Sequence, residues 1–472
     1  MMPSHTGNLD NANGTVHLTR RAWRETLCPM GTAKQSLDEF LGQARESLIT
    51  DCTACGKCVE VCPVTPFTSV KAGDEPGVIN GVLGLLRDCT PMTGAAQDWS
   101  SQCNGCGLCI PACPEGINPR RMLMLANTVE AEQDSPTPQL FRKMSRAIRI
   151  MAAMQLAPPE FDKLLRTPRA RPADVVFYTG CNPIRTPHLL FNAMAILDAL
   201  EVDYEVVGGP GACCGIIQSK WEGDQASGER VVDGTISRFA GFQPKEVLSW
   251  CPSCVLHLGE TISGFRQASF EFDHVTNYLV DRAEGLAGKF IQPVNKRVLL
   301  HTHDGMGKIG QNVANMLAAV PGLTLVGTAA EPGYTCGGSG ADRSPGLKAE
   351  ARAATLARAE ADDVDILVSL FHGCHGQLSG LEAQGKFQVV NWTDLLVQAL
   401  GQRPHDDISK RYRMQDDLDM VLDEGEIYLK ANGVDMDRDW LKSLLPDLFG
   451  QTEFKGGLEA FASKQKSAGG AQ

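Results

Sequence analysis

Eight cysteines in the first quarter of the chain repeat one spacing twice. Cys52, Cys55, Cys58 and Cys62 stand in CTACGKCVEVCP, and Cys103, Cys106, Cys109 and Cys113 stand in CNGCGLCIPACP. Thiolates two residues apart can wrap three corners of one iron-sulfur cube, and a fourth cysteine followed by proline completes the ligand supply. Gly56 and Gly107 relieve crowding where the loop turns, and Pro63 and Pro114 end the wrap. Structural zinc is the competing chemistry, but it asks for two CxxC pairs and not a repeated quartet closed by proline. Such clusters pass single electrons, so electron transfer is the expected work.

The spacing is similar to that of bacterial ferredoxins, whose fourth cysteine reaches across to the neighbouring cube. The expected sets are therefore Cys52, Cys55, Cys58 and Cys113 for one [4Fe-4S] cluster. The other takes Cys103, Cys106, Cys109 and Cys62.

A second group lies farther along. Cys181 follows VVFYTG, Cys213 and Cys214 stand before Gly215 in GACCG, and Cys251 and Cys254 form CPSC. Cys181 and Cys251 directly follow apolar runs that read as strands, and strand ends at one sheet edge are where α/β proteins gather ligands. Five thiols can converge there from three loops, with free thiols or bound zinc as the alternatives. A weaker copy follows with a shift of about 120 residues: VLLHTHD, YTCGG and SLFHGC. Cys181 maps to Asp304, Cys214 to Cys336 and Cys254 to Cys374, which reads as an internal duplication. Asp304, Thr335 and Phe371 replace cysteines in the copy, so no full cluster is expected in it. His301, His303, His372 and His375 lie beside the lost positions. Local packing or a partner-docking surface is the ordinary use of such histidines; the other reading is a mononuclear site of imidazole and thiolate, with His303, Cys336 and Cys374 as its candidate ligands.

The elements that must position these residues change along the chain. Val78, Val82, Leu85 and Leu86 between the quartets keep helical period, and QLFRKMSRAIRIMAAMQLA is a further helical block before a Pro- and Arg-rich connector. Short apolar runs then alternate with helix-like stretches, among them DVVFYTG, YEVVGG, KEVLSW, RVLLHTH, LTLVG and DILVSLF. The expected fold is α+β and multidomain: a helical dicluster ferredoxin domain over 15–126, a helical connector over 127–172, and a duplicated α/β cysteine-rich domain over 173–290 and 291–402. An acidic helical tail over 403–472 follows, with a disordered end.

The two quartets followed by GCN, GACCG and CPSC, with the echo in HTHDG, YTCGG and FHGC, resemble the family of D-type heterodisulfide reductase subunits. That family includes the iron-sulfur subunits of glycolate oxidase and anaerobic glycerol-3-phosphate dehydrogenase. The resemblance runs from Asp51 to Ala399. It implies that Cys181, Cys213, Cys214, Cys251 and Cys254 are candidate ligands of a third, noncubane cluster. It also implies an electron-transfer subunit that relays electrons between a flavoprotein dehydrogenase, or an electron-transfer flavoprotein, and a quinone or other carrier. The alternative it allows is a disulfide reductase acting at the noncubane cluster, which the degenerate copy weakens.

Composition sets the remaining bounds. Seventeen cysteines among 472 residues, fifteen of them in or near these motifs, read as metal ligation and not as disulfides. A net charge of −12 argues against nucleic-acid binding. The start MMPSHTGNLDNANG lacks the basic and apolar stretches of a secretory signal, so export is not expected, and no run of about eighteen apolar residues occurs. A cytoplasmic protein is expected, with a peripheral place at the inner face of the membrane left open by the basic FRKMSRAIRIMAAM stretch; packing of that helix on the core is the commoner use. GMGKIG supplies a literal GxGxxG at Gly305, Gly307 and Gly310, but the strand-to-helix turn of the repeat explains it without a nucleotide. Cys28 and Cys89 match no motif and are expected to be buried small hydrophobes.

Overall fold

The computed structural model describes residues 35–133, 140–305, 307–332, 343–383 and 385–450. Cys28, Cys336 and the final residues from 451 onward, with the disorder expected there, lie outside the described residues. The chain is an α+β multidomain protein, helical at first and then built on two parallel sheets.

In the helical part, Leu37–Asp51 opens on a capping box, Ser36 accepting from the Glu39 backbone N–H at 3.2 Å while Glu39 accepts from Ser36 at 2.9 Å. The helix Glu75–Asp88 joins the two quartets. It buries Val78, Ile79, Val82, Leu83, Leu85 and Leu86, the face that its periodicity announces. It ends at Cys89 in the left-handed region, φ 57°, and Cys89 is exposed, contrary to the buried role expected of it.

Eight strands follow: β1 (Val175–Gly180), β2 (Tyr204–Gly208), β3 (Glu246–Ser249), β4 (Glu271–His274), β5 (Arg297–Asp304), β6 (Thr324–Pro332), β7 (Ile366–Ser369) and β8 (Gln388–Asn391). The first sheet has the order β2-β1-β3-β4 and the second β6-β5-β7-β8, with every pairing parallel. Two sheets of one order, each crossed by helices between successive strands, are the three-dimensional form of the internal repeat. β1, buried at all six positions, and β7, buried at all four, are central strands and read as apolar runs. The edge strands β4 and β8 bury alternate residues only, which is why EFDH and QVVN carry a weak strand signal.

The helices Ile408–Met414, Leu418–Ala431 and Arg438–Phe449 form a second, smaller core. They pack Tyr412, Val421, Leu422 and Leu445 against Ile150, Met151 and Met154 of the helix Leu140–Ala153 and its end. The apolar face of FRKMSRAIRIMAAM is therefore consumed inside the protein. Arg142, Lys143, Arg146 and Arg149 remain exposed on its other side.

Candidate functional site

The first quartet precedes the helix Glu75–Asp88 and the second follows the helix Gly94–Ser101, which folds back so that Gln102 Nε2 donates to Phe67 O and Asp98 accepts from the Ser69 N–H; the backbone of both loops is shaped by glycine. Gly56 has φ +79°, and a Cβ on it would stand 2.7 Å from Glu75 Cβ; Gly107 has φ +80°, and a Cβ would stand 2.6 Å from Arg120 Nη1. Cys113 comes to the first loop, where Cys52, Cys55, Cys58 and Cys113 line one cavity together with Ile79, Ile117 and Met122. Cys62 comes to the second, where the fields of Cys62 and Cys103 act on Cys106, and those of Cys103, Cys106 and Cys62 act on Cys109.

The donor chemistry tests whether these residues fit an iron-sulfur core. Burial, then the neighbouring sulfurs, pushes Cys58 up to about 12. Burial and Cys103 push Cys62 up to about 11, and burial pushes Cys106 up to about 12 and raises Cys109 as well. Thiols so crowded stay protonated unless cations replace their protons, which iron ions do. The residues fit the group.

The five thiols of the first cysteine-rich repeat also meet. Cys181 stands at the end of β1, Cys213 and Cys214 after β2, and Cys251 and Cys254 after β3, at the carboxyl edge where the chain crosses from β2 over β1 to β3. All five are buried. Cys181 Sγ lies 3.9 Å from Cys213 Sγ, and the Cys254 thiol faces the Tyr178 hydroxyl at 3.7 Å, while that hydroxyl donates to Ala212 O at 2.9 Å. Hydrogen bonds from Cys181 and Cys214 lower Cys213, and one from Cys254 lowers Cys251, so these two are the first to ionise. Gly180, φ +71°, keeps the centre open: a Cβ there would stand 2.9 Å from Cys251 Cβ and 3.3 Å from Cys254 Sγ. Two π-helical turns, Ile217–Trp221 and His257–Thr261, follow the CCG and CPSC loops, a distortion found most often at functional sites.

Lys220 and Arg120 are among the cations that lie between the sites. Lys220, held by burial at about 8, feels Cys103 of the second quartet, and it acts in turn on His257, which also feels Cys213. Arg120 joins three regions. Its Nη1 donates to Gly105 O and to Gly305 O, both at 3.1 Å, and its Nε donates to Glu260 Oε1 at 2.9 Å while Nη2 pairs with Oε2. Gly305 explains GMGKIG. A Cβ there would stand 1.2 Å from Cys106 O, and one on Gly310 would stand 2.1 Å from Thr302 Oγ1, so these glycines serve close packing against the quartet loop and the strand.

Comparison with known proteins agrees with this geometry. A family model described as 4Fe-4S dicluster domain matches residues 51–117, and one described as cysteine-rich domain matches 175–259 and 301–379. This chain is an iron-sulfur protein with a dicluster domain and two cysteine-rich domains. It is similar to the D-type subunit of the dihydromethanophenazine:CoB–CoM heterodisulfide reductase of Methanosarcina barkeri, at 24% identity over 402 residues, 74% of this chain and 93% of the relative.

The second cysteine-rich domain brings His303 and Cys374 together, Nε2 to Sγ 2.8 Å, with His301 beside them. Cys336 lies outside the described residues. His375 is turned elsewhere: its Nε2 meets Asp407 Oδ2 at 2.6 Å, and His188 approaches Asp407 Oδ1 at 3.3 Å. Sequence reasoning missed this His188, His375 and Asp407 group, because no local spacing links three residues so far apart. No helix among the described residues is long and apolar enough to cross a membrane.

Proposed function

We propose that this iron-sulfur protein is the electron-transfer subunit of a flavin-dependent oxidoreductase complex, accepting electrons from a flavoprotein and delivering them to a quinone or another carrier. In this reading Cys52, Cys55, Cys58 and Cys113 hold one [4Fe-4S] cluster, and Cys103, Cys106, Cys109 and Cys62 hold the other. Cys181, Cys213, Cys214, Cys251 and Cys254 hold a third, noncubane cluster. When bound, such clusters store and pass single electrons. The chain's own residues space the sites, exclude water and place Lys220 and Arg120 as positive charges beside sulfurs that carry negative charge.

The observation that carries the reading is enclosure. All five thiols of the third set are buried, whereas Cys55 of the first quartet is exposed, an arrangement suited to electrons entering at a surface and leaving through an interior store. The relative's name favours a second reading, a reductase that cleaves a heterodisulfide at the third set. Anaerobic purification, iron and sulfide counts and paramagnetic resonance on reduction separate them. The relay reading expects C113S and C62S each to abolish a different cubane signal, C181S to abolish a third, and an added disulfide to change none. A new signal on adding disulfide selects the reductase, and colourless protein free of acid-labile sulfide overturns both.

A further inference from the structure

We propose that the second cysteine-rich domain holds one mononuclear divalent metal ion, zinc by its donor set, on His301, His303 and Cys374. The ligating atoms of these three side chains all lie within 4.8 Å of one another. All three are buried, with 0% exposure for His301, 5% for His303 and 0% for Cys374. His301 and His303 stand two residues apart on β5 and so project from one face of the strand. Cys374 sits in the first turn of the helix His372–Leu378, just after the neighbouring strand β7.

Superposing the two modules along the chain shows what has been exchanged. A shift of 123 positions from Cys181 to Asp304 puts Gly180 at His303 and Tyr178 at His301. A shift of 120 puts Cys251 at Phe371 and Cys254 at Cys374. In the first module Gly180 leaves the space before Cys251 and Cys254 empty of side chain. In the second, the His303 ring fills the matching space: it stacks on Phe371 with centroids 5.7 Å apart and planes within 4°, and its Nε2 meets the Cys374 sulfur. His301 takes the place of Tyr178, the residue whose hydroxyl faces Cys254. A cavity shaped for a polynuclear core thus becomes a compact set of two imidazoles and one thiolate.

That donor set suits zinc. Imidazole and thiolate are its usual protein ligands, whereas an oxygen-seeking ion such as magnesium or calcium finds no carboxylate among the three. Zinc–nitrogen bonds of about 2.0 Å and zinc–sulfur bonds of about 2.3 Å in a tetrahedron place nitrogen and sulfur about 3.5 Å apart. Metal entry therefore widens the 2.8 Å contact between His303 and Cys374 by about 0.7 Å.

The test uses full-length protein with its iron loaded anaerobically, then exposed to Zn²⁺ or Co²⁺ and desalted. The expected result is about one equivalent of zinc per chain over the iron, falling below about a tenth in H303Q and in C374S. With Co²⁺, a thiolate-to-metal absorption band is expected in the wild type and in C254S, and is absent in C374S. Unchanged iron and sulfide in H303Q and C374S show that they are folded. Zinc below a tenth of an equivalent in the loaded wild type overturns the proposal. So does zinc that persists in C374S, or that disappears only when Cys55 or Cys106 is replaced.

Discussion

Arg120→Gln is expected to loosen the junction of all three cysteine-bearing regions. The Arg120 and Glu260 side chains are 8% and 12% exposed, so the substitution strands a carboxylate largely out of water. Breaking one side of such a buried pair costs about 3–5 kcal/mol. The Gly105 and Gly305 carbonyls lose their donor as well. Taking the dicluster and first cysteine-rich regions as one melting unit of about 240 residues, an unfolding entropy near 0.5 kcal/mol/K turns that loss into a fall of about 6–10 °C. Glu260→Gln alone strands the guanidinium and is expected to cost a similar amount. In the double variant R120Q/E260Q two neutral amides face each other, and at least half of the summed loss should return. The assay is anaerobic melting followed by loss of cluster absorbance, at one scan rate for all four proteins because cluster loss is irreversible. A single variant melting within about 2 °C of wild type, or a double variant at the plain sum of the singles, refutes the reasoning.

Lys220→Met removes a positive charge between the second quartet and the five-thiol set; it should lower the potential of the adjacent cluster by tens of millivolts, on the order expected of one charge at an effective dielectric near 20. Spectroelectrochemical titration checks this, with iron content unchanged, and folding stability is expected to hold or rise because a partly buried ammonium is gone. Gly305→Ala meets Cys106 O and forces a residue out of φ +80°, so the quartet loop should part from the second sheet and the cluster should bleach several-fold faster in air. Burial holds His188 near 3 and His274 near 4, both neutral in the folded chain. The unfolded chain binds their protons below about pH 6.5, so stability is full above that value and falls by about 1.4 kcal/mol per pH unit for each group as pH drops toward 4. Urea midpoints across this range should show that slope reduced by about one such unit in H274N.

The sequence made the quartets legible because their spacing is local: four thiols and a glycine within eleven residues declare their purpose without the fold, even though the fourth thiol of each run reaches to the other. The five-thiol set was readable for a different reason, since its loops follow apolar central strands that announce themselves. What stayed hidden depends on distance. Arg120 is one arginine among many until Glu260, 140 positions away, closes on it, and Asp407 lies in an acidic stretch that reads as solvated until His188 and His375 enclose it. GMGKIG matches a phosphate-turn pattern without being read as one, because close packing and phosphate binding demand the same thing of a residue, namely no side chain. Of the proposed second-domain ligands, Cys374 was visible as a cysteine the copy retains, and His301 and His303 as neighbours of a lost one. The distances among the three needed the fold, because β5 and the helix after β7 are about 70 residues apart in the chain.

The helices beyond the second sheet have a practical bearing. Tyr412 donates to Met154 O at 3.1 Å, Asn432 to Leu156 O at 2.8 Å, and Arg185 to Leu448 O at 2.9 Å, so this late stretch is sewn onto the linker that precedes the first sheet and onto the turn that follows β1. Anyone trimming the polypeptide at the last cysteine motif would leave a greasy strip on that linker with nothing to cover it and pull a carboxylate from between two imidazoles. The shortest fragment worth expressing runs through Phe449.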